Sequence, residues 1–398
     1  MRLIVLGSGG REHAMVRALR QGGHEVYWGP GNGARGDFQP LENAFDLDQL
    51  QALKPDLVLI GPEDPLAAGL VDRLQERGLK AWGPTAAQAR LESSKAWSKQ
   101  FMRRHGLPTA DFAVADTLEE ARAAIRLLSD HHGVVVKADG LAAGKGVVVA
   151  ESEAEAVSAA ETLLATAAGA RLVIERRISG PEASWILLLR PDGFQALPLA
   201  RDHKRLLDGD QGPNTGGMGT ITPVEAPCDL EKLGQRLFEA LKQENLNYFG
   251  ALFVGLLFTA EGPQILEFNC RLGDPETEVL LESMPGDFLE ALHGQPLGPW
   301  NGHCLDVVLA HPGYPATSSP SLLIEGIPQG VTVLQAGTRL DEQGQLWTAG
   351  GRVLHLVCQA DTLEEARRQV YAAAEQVRFG GQPASYRKDI GLTLAARP

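Results

Sequence analysis

Leu3-Ile4-Val5-Leu6-Gly7-Ser8-Gly9-Gly10-Arg11-Glu12 runs from an apolar tetrad through a glycine turn into an amphipathic stretch that reaches Gln21. Four consecutive apolar residues leave no polar face, so the tetrad reads as a strand buried on both sides. The stretch Arg11–Gln21 reads as a helix, Glu25-Val26-Tyr27-Trp28 as a second strand and Leu57-Val58-Leu59-Ile60 as a third. Leu66–Arg77 then reads as a helix and Lys80-Ala81-Trp82 as a short fourth strand. Strands alternating with helices predict an α/β unit over residues 1–100, a doubly wound parallel sheet with helices on both faces. Ligands of such sheets sit beyond the carboxyl ends of the strands. Two loops occupy that edge, Gly7–Glu12 and Gly61-Pro62-Glu63-Asp64-Pro65.

Beyond residue 100 the pattern changes. Residues 101–298 read as a helix, hairpins and longer strands, and 299–398 as a third block of short strands and helices. At roughly 150 residues per domain, 398 residues make two or three domains. The string Ala-Asp-Thr-Leu-Glu-Glu-Ala-Arg occurs at Ala115–Arg122 and again at Ala360–Arg367. Its Thr-x-x-Glu is a capping box that opens a helix after a strand. With 37 basic and 50 acidic residues the net charge is −13, which argues against a protein that coats nucleic acid. The four cysteines lie 34 or more positions apart, with no metal-knuckle or redox spacing. The apolar run Leu3–Leu6 is too short for a signal core of ~7–15 residues. Gly250–Ala260 falls short of the ~18 residues that span a bilayer. The expectation is a cytoplasmic protein with neither nucleic-acid nor membrane partners.

Three motifs carry chemistry. The turn Gly7-x-Gly9 follows a strand, but Glu12 replaces the third glycine of a dinucleotide fingerprint, and Gly29-Pro30-Gly31-Asn32 offers no acid for a ribose. What remains is a glycine turn at a helix N-terminus with Arg11 in the first turn, suited to a phosphate on the N–H groups of Gly9 and Gly10, or a tight turn with no ligand. Lys137-Ala138-Asp139-Gly140-Leu141-Ala142-Ala143-Gly144-Lys145-Gly146 is one residue short of a Walker A loop and has Gly146 where a Ser/Thr is needed. Its flanks, Val134–Val136 and Val147–Val149, are β-branched, so it reads as a glycine-rich hairpin. Its two lysines suit nucleotide phosphates or, equally, open solvent. In Ile265-Leu266-Glu267-Phe268-Asn269-Cys270-Arg271, strand alternation puts Glu267, Asn269 and Arg271 on one face. Two oxygen ligands beside a guanidinium suit Mg²⁺ and a phosphoryl group, though an ordinary amphipathic strand alternates the same way. Asp202-His203-Lys204-Arg205 and Asn214-Thr215-Gly216-Gly217-Met218-Gly219 are a charged cluster and a polar glycine loop.

These motifs occur together and in order with Glu175, Gly180-Pro181-Glu182-Ala183-Ser184 and the run Glu267–Glu276, and the whole chain resembles the phosphoribosylamine–glycine ligases of the ATP-grasp superfamily. The resemblance implies a pre-ATP-grasp sheet (1–100), an ATP-grasp core (101–298) with a mobile lid subdomain at about 115–185, and an α+β C-terminal domain (299–398). It implies that ATP phosphorylates the glycine carboxylate and that 5-phosphoribosylamine then attacks the acyl phosphate, in purine biosynthesis. ATP would be held by Lys99, Lys137, Gly144, Lys145, Glu175, Arg177, Ile178 and Glu182, with Glu175–Ile178 reading adenine and Glu182 the ribose. Glu267 and Asn269 would bind Mg²⁺ or Mn²⁺, and Arg271 and Lys145 would act on the transferring phosphoryl. Gly9, Gly10, Arg11, Glu12, Asp202, Lys204, Arg205, Asn214, Thr215, Gly216, Gly217, Met218, Asp274 and Glu276 would cradle glycine and phosphoribosylamine. The implied partners are these small molecules alone, with the chain a monomer or weak dimer. Two rivals carry less of the pattern. A carboxyaminoimidazole ribonucleotide synthetase is disfavoured by the pair Asp202–Arg205 and Asn214–Gly219. A nucleotide or phosphosugar sensor has no need of the Glu267/Asn269/Arg271 face.

Overall fold

The computed structural model describes residues 1–129, 133–141, 146–166, 170–315 and 320–392. Its first unit is a five-stranded sheet of β1 (Arg2–Gly7), β2 (Glu25–Pro30), β3 (Gln39–Pro40), β4 (Leu57–Ile60) and β5 (Ala81–Trp82). The order is β3-β2-β1-β4-β5 with every pairing parallel. Leu3, Ile4, Val5 and Leu6 are fully buried, as an all-apolar strand sandwiched between helices requires. The order reverses at β1, so the crevice lies at Gly7, where α1 (Gly10–Gln21) begins. The expected helix over Leu66–Arg77 is two helices, Glu63–Ala67 and Leu70–Glu76. Gly69 sits between them at φ +75°, a left-handed conformation that interrupts the helical run. The edge strand β3 escaped the sequence reading because two exposed residues carry no periodicity.

The second unit is an antiparallel sheet of Phe112–Ala115, Leu172–Arg176, Val134–Ala138 and Val147–Ala150 in that spatial order. Helices Leu118–Leu128 and Glu153–Leu164 pack on it through a core rich in alanine and β-branched residues. The valine runs flanking the glycine loop therefore do form a hairpin. A third sheet orders Gly193–Ala196, Glu182–Arg190, Gly250–Thr259 and Gly262–Asn269. Its last pairing slips between Gly255 and Leu256, opposite Glu267 and Ile265, so Leu266 bulges out of register. Alternation of polar and buried positions resumes after the bulge.

A fourth sheet joins Arg201–Asp202, Gly219–Thr222, His303–Ala310, Arg352–Ala360 and Thr332–Gln335, taking strands from both sides of position 299. Arg387, fully buried, pairs with Asp389 and Asp210, and Asp389 accepts the Gly209 N–H, so the chain's end is tied to the hairpin Arg205–Asn214. Among the described residues no helix is long and apolar enough to cross a membrane. All four cysteines are free.

Both copies of the repeated string open helices as expected, but they differ in detail. Thr117 accepts the Glu120 N–H while Glu120 reaches back to Thr117, a complete capping box. Thr362 caps Glu365 N–H, but the Glu365 carboxylate turns to Arg368 and Gln369. Thr117→Ala should therefore cost the first turn of Leu118–Leu128 about 1 kcal/mol. The expected readout is roughly fivefold faster hydrogen exchange at the Glu120 amide, with the exchange of α1 unchanged.

Candidate active site

Glu175 is the centre of a buried ion-pair cluster. It ends a strand of the second sheet, is 2 % exposed, and lies 2.8 Å from Lys99 Nζ and 2.7 Å from Lys137 Nζ. Lys99 comes from the helix Lys95–Arg104 and Lys137 from the strand Val134–Ala138, so one carboxylate joins two elements through buried ammonium groups. Lys99 also donates to Thr109 Oγ1, which donates to the Ile265 carbonyl. Burial pushes the Lys99 ammonium down to about 8, against the pull of Glu175. For Glu175 burial acts upward, but the two lysines outweigh it and hold the carboxyl below its ordinary range. The glycine hairpin begins beside this pair. Asp139 accepts from Ser94 Oγ and from the Ala96 N–H, capping the helix that carries Lys99. Lys95 Nζ donates to the Gly140 carbonyl. The expected ligands Gly144 and Lys145 lie outside the described residues. Arg177 and Ile178, both partly buried, follow the strand that ends at Arg176, and Glu182 meets Lys204 Nζ at 3.2 Å.

The strand Gly262–Asn269 brings Glu267 and Asn269 to one side, two positions apart past the bulge. Burial alone would raise the Glu267 carboxyl, but Lys204, Lys137 and Lys95 together hold it below its usual value. Three lysines from three elements thus face one carboxylate. Arg271 lies just past the strand's end. Its Nε is 3.1 Å from Glu63 Oε2 and its Nη2 is 3.4 Å from Glu92 Oε1. Glu92 also accepts the Cys270 N–H at 2.7 Å, which fixes the turn carrying Arg271.

The candidate substrate loops converge. The glycine positions show how closely: a Cβ on Gly217 would collide with Pro275 and with Asp202 Oδ1, and one on Gly216 would press against the Arg352 guanidinium. Arg352 Nη1 donates to the carbonyls of Gly216 and Asp274 and lies 2.8 Å from Asp274 Oδ1. Glu276 accepts from Ser184 Oγ at 2.7 Å. Burial and then the neighbouring Glu276 push the Asp202 carboxyl well above its usual range. Burial works against the Lys204 ammonium, yet Glu182, Glu267 and Asp202 raise it. Thr215 Oγ1 donates to the Lys204 carbonyl and accepts the Gly217 N–H, and Met218 is fully buried with its N–H on the His203 carbonyl. Arg205 and Asn214, by contrast, are opposed across an exposed hairpin, with Arg205 Nη1 on the Gly212 carbonyl.

The glycine turn at α1 differs from the phosphate cradle expected of it. Glu12, 1 % exposed, reaches back so that Oε2 accepts the Gly9 N–H at 2.6 Å while Oε1 accepts from Arg11 Nε at 2.6 Å. A Cβ on Gly7, Gly9 or Gly61 would overlap this side chain, so both glycine loops at the sheet edge close on Glu12. The helix N-terminus carries its own carboxylate, and the Gly9 N–H is not open to a phosphate. Gly10 is equally confined: a Cβ there would sit 2.7 Å from His355 Nε2 and 2.8 Å from Glu278 Oε1. Arg11 Nη1 donates to the Leu272 carbonyl, which joins this turn to the loop after Arg271. Glu63, Glu92, Lys95, Asp139 and Arg352 were not anticipated. Each acts across more than forty positions, and only Glu63 and Asp139 lay inside stretches already singled out, the loop Gly61–Pro65 and the glycine hairpin.

The lowered Lys99 value gives a pH dependence. Lys99 loses its proton from about pH 8 in the folded chain, against 10.5 as its ordinary value, so the unfolded chain binds more protons in that window and stability rises with pH there. Affinity for ADP should move oppositely, falling by up to about tenfold per unit above pH 8 as the ammonium is neutralised. Lys99→Arg should flatten this fall in a fluorescence or calorimetric titration from pH 7 to 10.

Comparison with known proteins agrees with this arrangement. The chain matches the phosphoribosylglycinamide synthetase N domain over residues 1–92, the ATP-grasp (A) domain over 93–277 and the C domain over 304–393. It is 42 % identical to the phosphoribosylamine–glycine ligase of Ralstonia nicotianae, covering 98 % of this chain and 99 % of that one. It is 39 % identical to the human trifunctional purine biosynthetic protein adenosine-3, over 99 % of this chain and 42 % of that protein. The crystal structure of phosphoribosylamine–glycine ligase from Thermotoga maritima superposes with a TM-score of 0.87 at 38 % identity, covering 98 % of this chain and 100 % of that one. An ADP complex of N5-carboxyaminoimidazole ribonucleotide synthetase, at 20 % identity and TM-score 0.65 over 94 % of this chain and 96 % of that one, shares the fold. Matches to all three domain models, and a relative 42 % identical over nearly its whole length, place the chain in the phosphoribosylglycinamide synthetase family of ATP-grasp ligases.

Proposed function

We propose that this chain joins glycine to 5-phosphoribosylamine with ATP, through glycyl phosphate, to give glycinamide ribonucleotide, ADP and phosphate. The observation that carries the reading is the cluster of Lys95, Lys137 and Lys204 around Glu267 beside Arg271. A chain with net charge −13 repels anionic substrates at long range, so the attraction must be local and dry. Lys99 and Lys137 are held by Glu175 at a fixed spacing, ready for phosphate oxygens, with nucleotide phosphates replacing part of that contact. Glu175–Ile178 presents its backbone to adenine, and Glu182 is within reach of a ribose next to Lys204.

The donor set fits a hard divalent cation. Glu267 is kept ionised by its lysines, and Asn269 adds a neutral oxygen on the same side of the strand. Mg²⁺ or Mn²⁺ held there would neutralise charge on the ATP phosphates during transfer. Arg271, braced by Glu63 and Glu92, presents a guanidinium whose direction is set before substrate arrives, so little reorganisation is needed as charge develops on the phosphoryl. The glycine carboxylate attacks the γ-phosphorus and ADP leaves. The amine of phosphoribosylamine then attacks the acyl carbon and phosphate leaves with the electron pair. Asp202, raised by its surroundings, sits among the substrate loops with Asp274 and Glu276, where an amine must be held and relieved of a proton. Gly216, Gly217, Thr215 and Met218 shape the backbone wall of that cavity. Arg11 and Glu12 form its floor through the Leu272 carbonyl and the Gly9 N–H.

Glycine-dependent ADP release, measured with and without freshly prepared phosphoribosylamine, tests the reading. Turnover should require all three substrates. Glu267→Gln removes one charge at nearly constant volume and should lower ADP release by at least about a hundredfold, with an unchanged circular dichroism spectrum. Wild-type turnover of this variant at limiting Mg²⁺ would remove Glu267 from the metal site.

A further inference from the structure

Away from the lysine-rich face, Asp274, Glu278 and His355 each offer one ligand atom, and these atoms lie within 4.8 Å of one another. They are brought together from separate elements. Asp274 precedes the helix Glu276–Glu282 that carries Glu278, and His355 lies in the strand Arg352–Ala360. Glu278 and His355 are fully buried, and the Asp274 side chain is 14 % exposed.

The imidazole is oriented as a metal ligand is. Asp306 Oδ2 lies 2.8 Å from His355 Nδ1, and Asp306 is itself fully buried. With Asp306 accepting this bond, the ring proton sits on Nδ1 and the lone pair on Nε2. Nε2 has no hydrogen-bond partner among the described residues and is 3.9 Å from Asp274 Oδ1, while Glu278 Oε1 comes within 3.9 Å of Nδ1. Tetrahedral bonds of about 2.0–2.2 Å bring ligand atoms closer together than this, so both carboxylates would turn toward Nε2 to hold one ion. A carboxylate behind the imidazole is the usual outer partner of a histidine ligand, fixing its tautomer and ring direction.

Glu278 supplies the independent observation. Both of its carboxylate oxygens lack a hydrogen-bond donor among the described residues, although the side chain is fully buried. Such a group must take up either a proton or a cation. A proton satisfies one oxygen of Glu278 and leaves His355 Nε2 without a partner. A cation satisfies both groups together.

We propose that Asp274, Glu278 and His355 form a second divalent-metal site, of the class that takes one imidazole and two carboxylates (Zn²⁺ or Mn²⁺), with Asp306 as the outer partner. It is separate from the Glu267/Asn269 strand and needs no nucleotide. Arg352 Nη1 lies 2.8 Å from the same Asp274 Oδ1 that is nearest His355 Nε2, so the carboxylate must turn to give one oxygen to the guanidinium and one to the ion. The ion would clasp the Asp274 loop to the strand of His355, against the start of α1 at Gly10.

The test uses the full-length enzyme, stripped with chelator and dialysed, with no nucleotide present. Zn²⁺ is titrated by equilibrium dialysis with metal analysis, and Co²⁺ is followed by its visible spectrum. One site per chain is expected, retained in Glu267→Gln and weakened at least tenfold in both Glu278→Gln, which keeps volume, and His355→Gln. The Co²⁺ bands should be lost in His355→Gln. Absence of nucleotide-independent binding by the wild-type chain overturns the proposal, as does equal binding by wild type and Glu278→Gln. If Glu278→Gln is more heat-stable than wild type and Zn²⁺ stabilises neither, the carboxyl carries a proton, and the site is not a metal site.

Discussion

One buried carboxylate shared by two buried lysines organises the nucleotide side of this molecule. An ammonium group taken out of water costs several kcal/mol unless it is paired, and Glu175 can neutralise only one charge for Lys99 and Lys137 together. Burial first, and then the neighbouring Lys137, depress the Lys99 ammonium against the pull of Glu175. In the proposed reading an anion supplies the further negative charge. The same contact is mechanical. Lys99 belongs to the helix that Asp139 caps, and Lys137 belongs to the strand leading into the glycine hairpin, so the strand Leu172–Arg176 ties both to one register.

The phosphoryl-transfer side follows the opposite rule. Arg271 has two carboxylate partners, Glu63 and Glu92, and the surrounding carboxylates raise it further against burial. An over-paired guanidinium is held still, whereas an under-paired ammonium is available to bind. Glu63 opens the helix Glu63–Ala67 after β4, so this ion pair ties the first unit to the end of the ATP-grasp strand, beside the bond from Arg11 to the Leu272 carbonyl.

How much of this was legible in the sequence depended on the range of the interaction. β1, β4 and the valine hairpin were readable because apolar runs and β-branched residues act locally. The pairing of Glu267 with Asn269 was readable because alternation holds over two residues, yet the bulge at Leu266 was not, since it depends on Gly255 in the opposite strand. The glycine turn shows the limit most clearly. Its residues were recognised, but the ligand that needs the absence of Cβ atoms is Glu12, and only the closure of Gly61 onto the same side chain reveals it. Arg352 and His355 sit in a strand buried on both faces, with no local signal. Their roles come from partners 49 or more positions away: Asp274, Gly216, Glu278 and Asp306.

The connectivity of the fourth sheet assigns a task to the last hundred residues. Strands Arg201–Asp202 and Gly219–Thr222 flank the substrate loops, and they are hydrogen-bonded to His303–Ala310 and through it to Arg352–Ala360. Arg387 and Asp389 hold the intervening hairpin from the far side through Asp210 and Gly209. The loops that must recognise a phosphosugar and an amine are thus set by C-terminal strands. Lys99 and Lys137 are set by the helix Lys95–Arg104 and the second sheet. The strand Gly262–Asn269 and the loop after it carry Glu267 and, seven positions on, Asp274. The two steps proposed for this chain, phosphoryl transfer and then acyl transfer, would need their two electrophiles in adjoining but differently charged surroundings. The division of labour between these sheets supplies that separation within a run of eight residues.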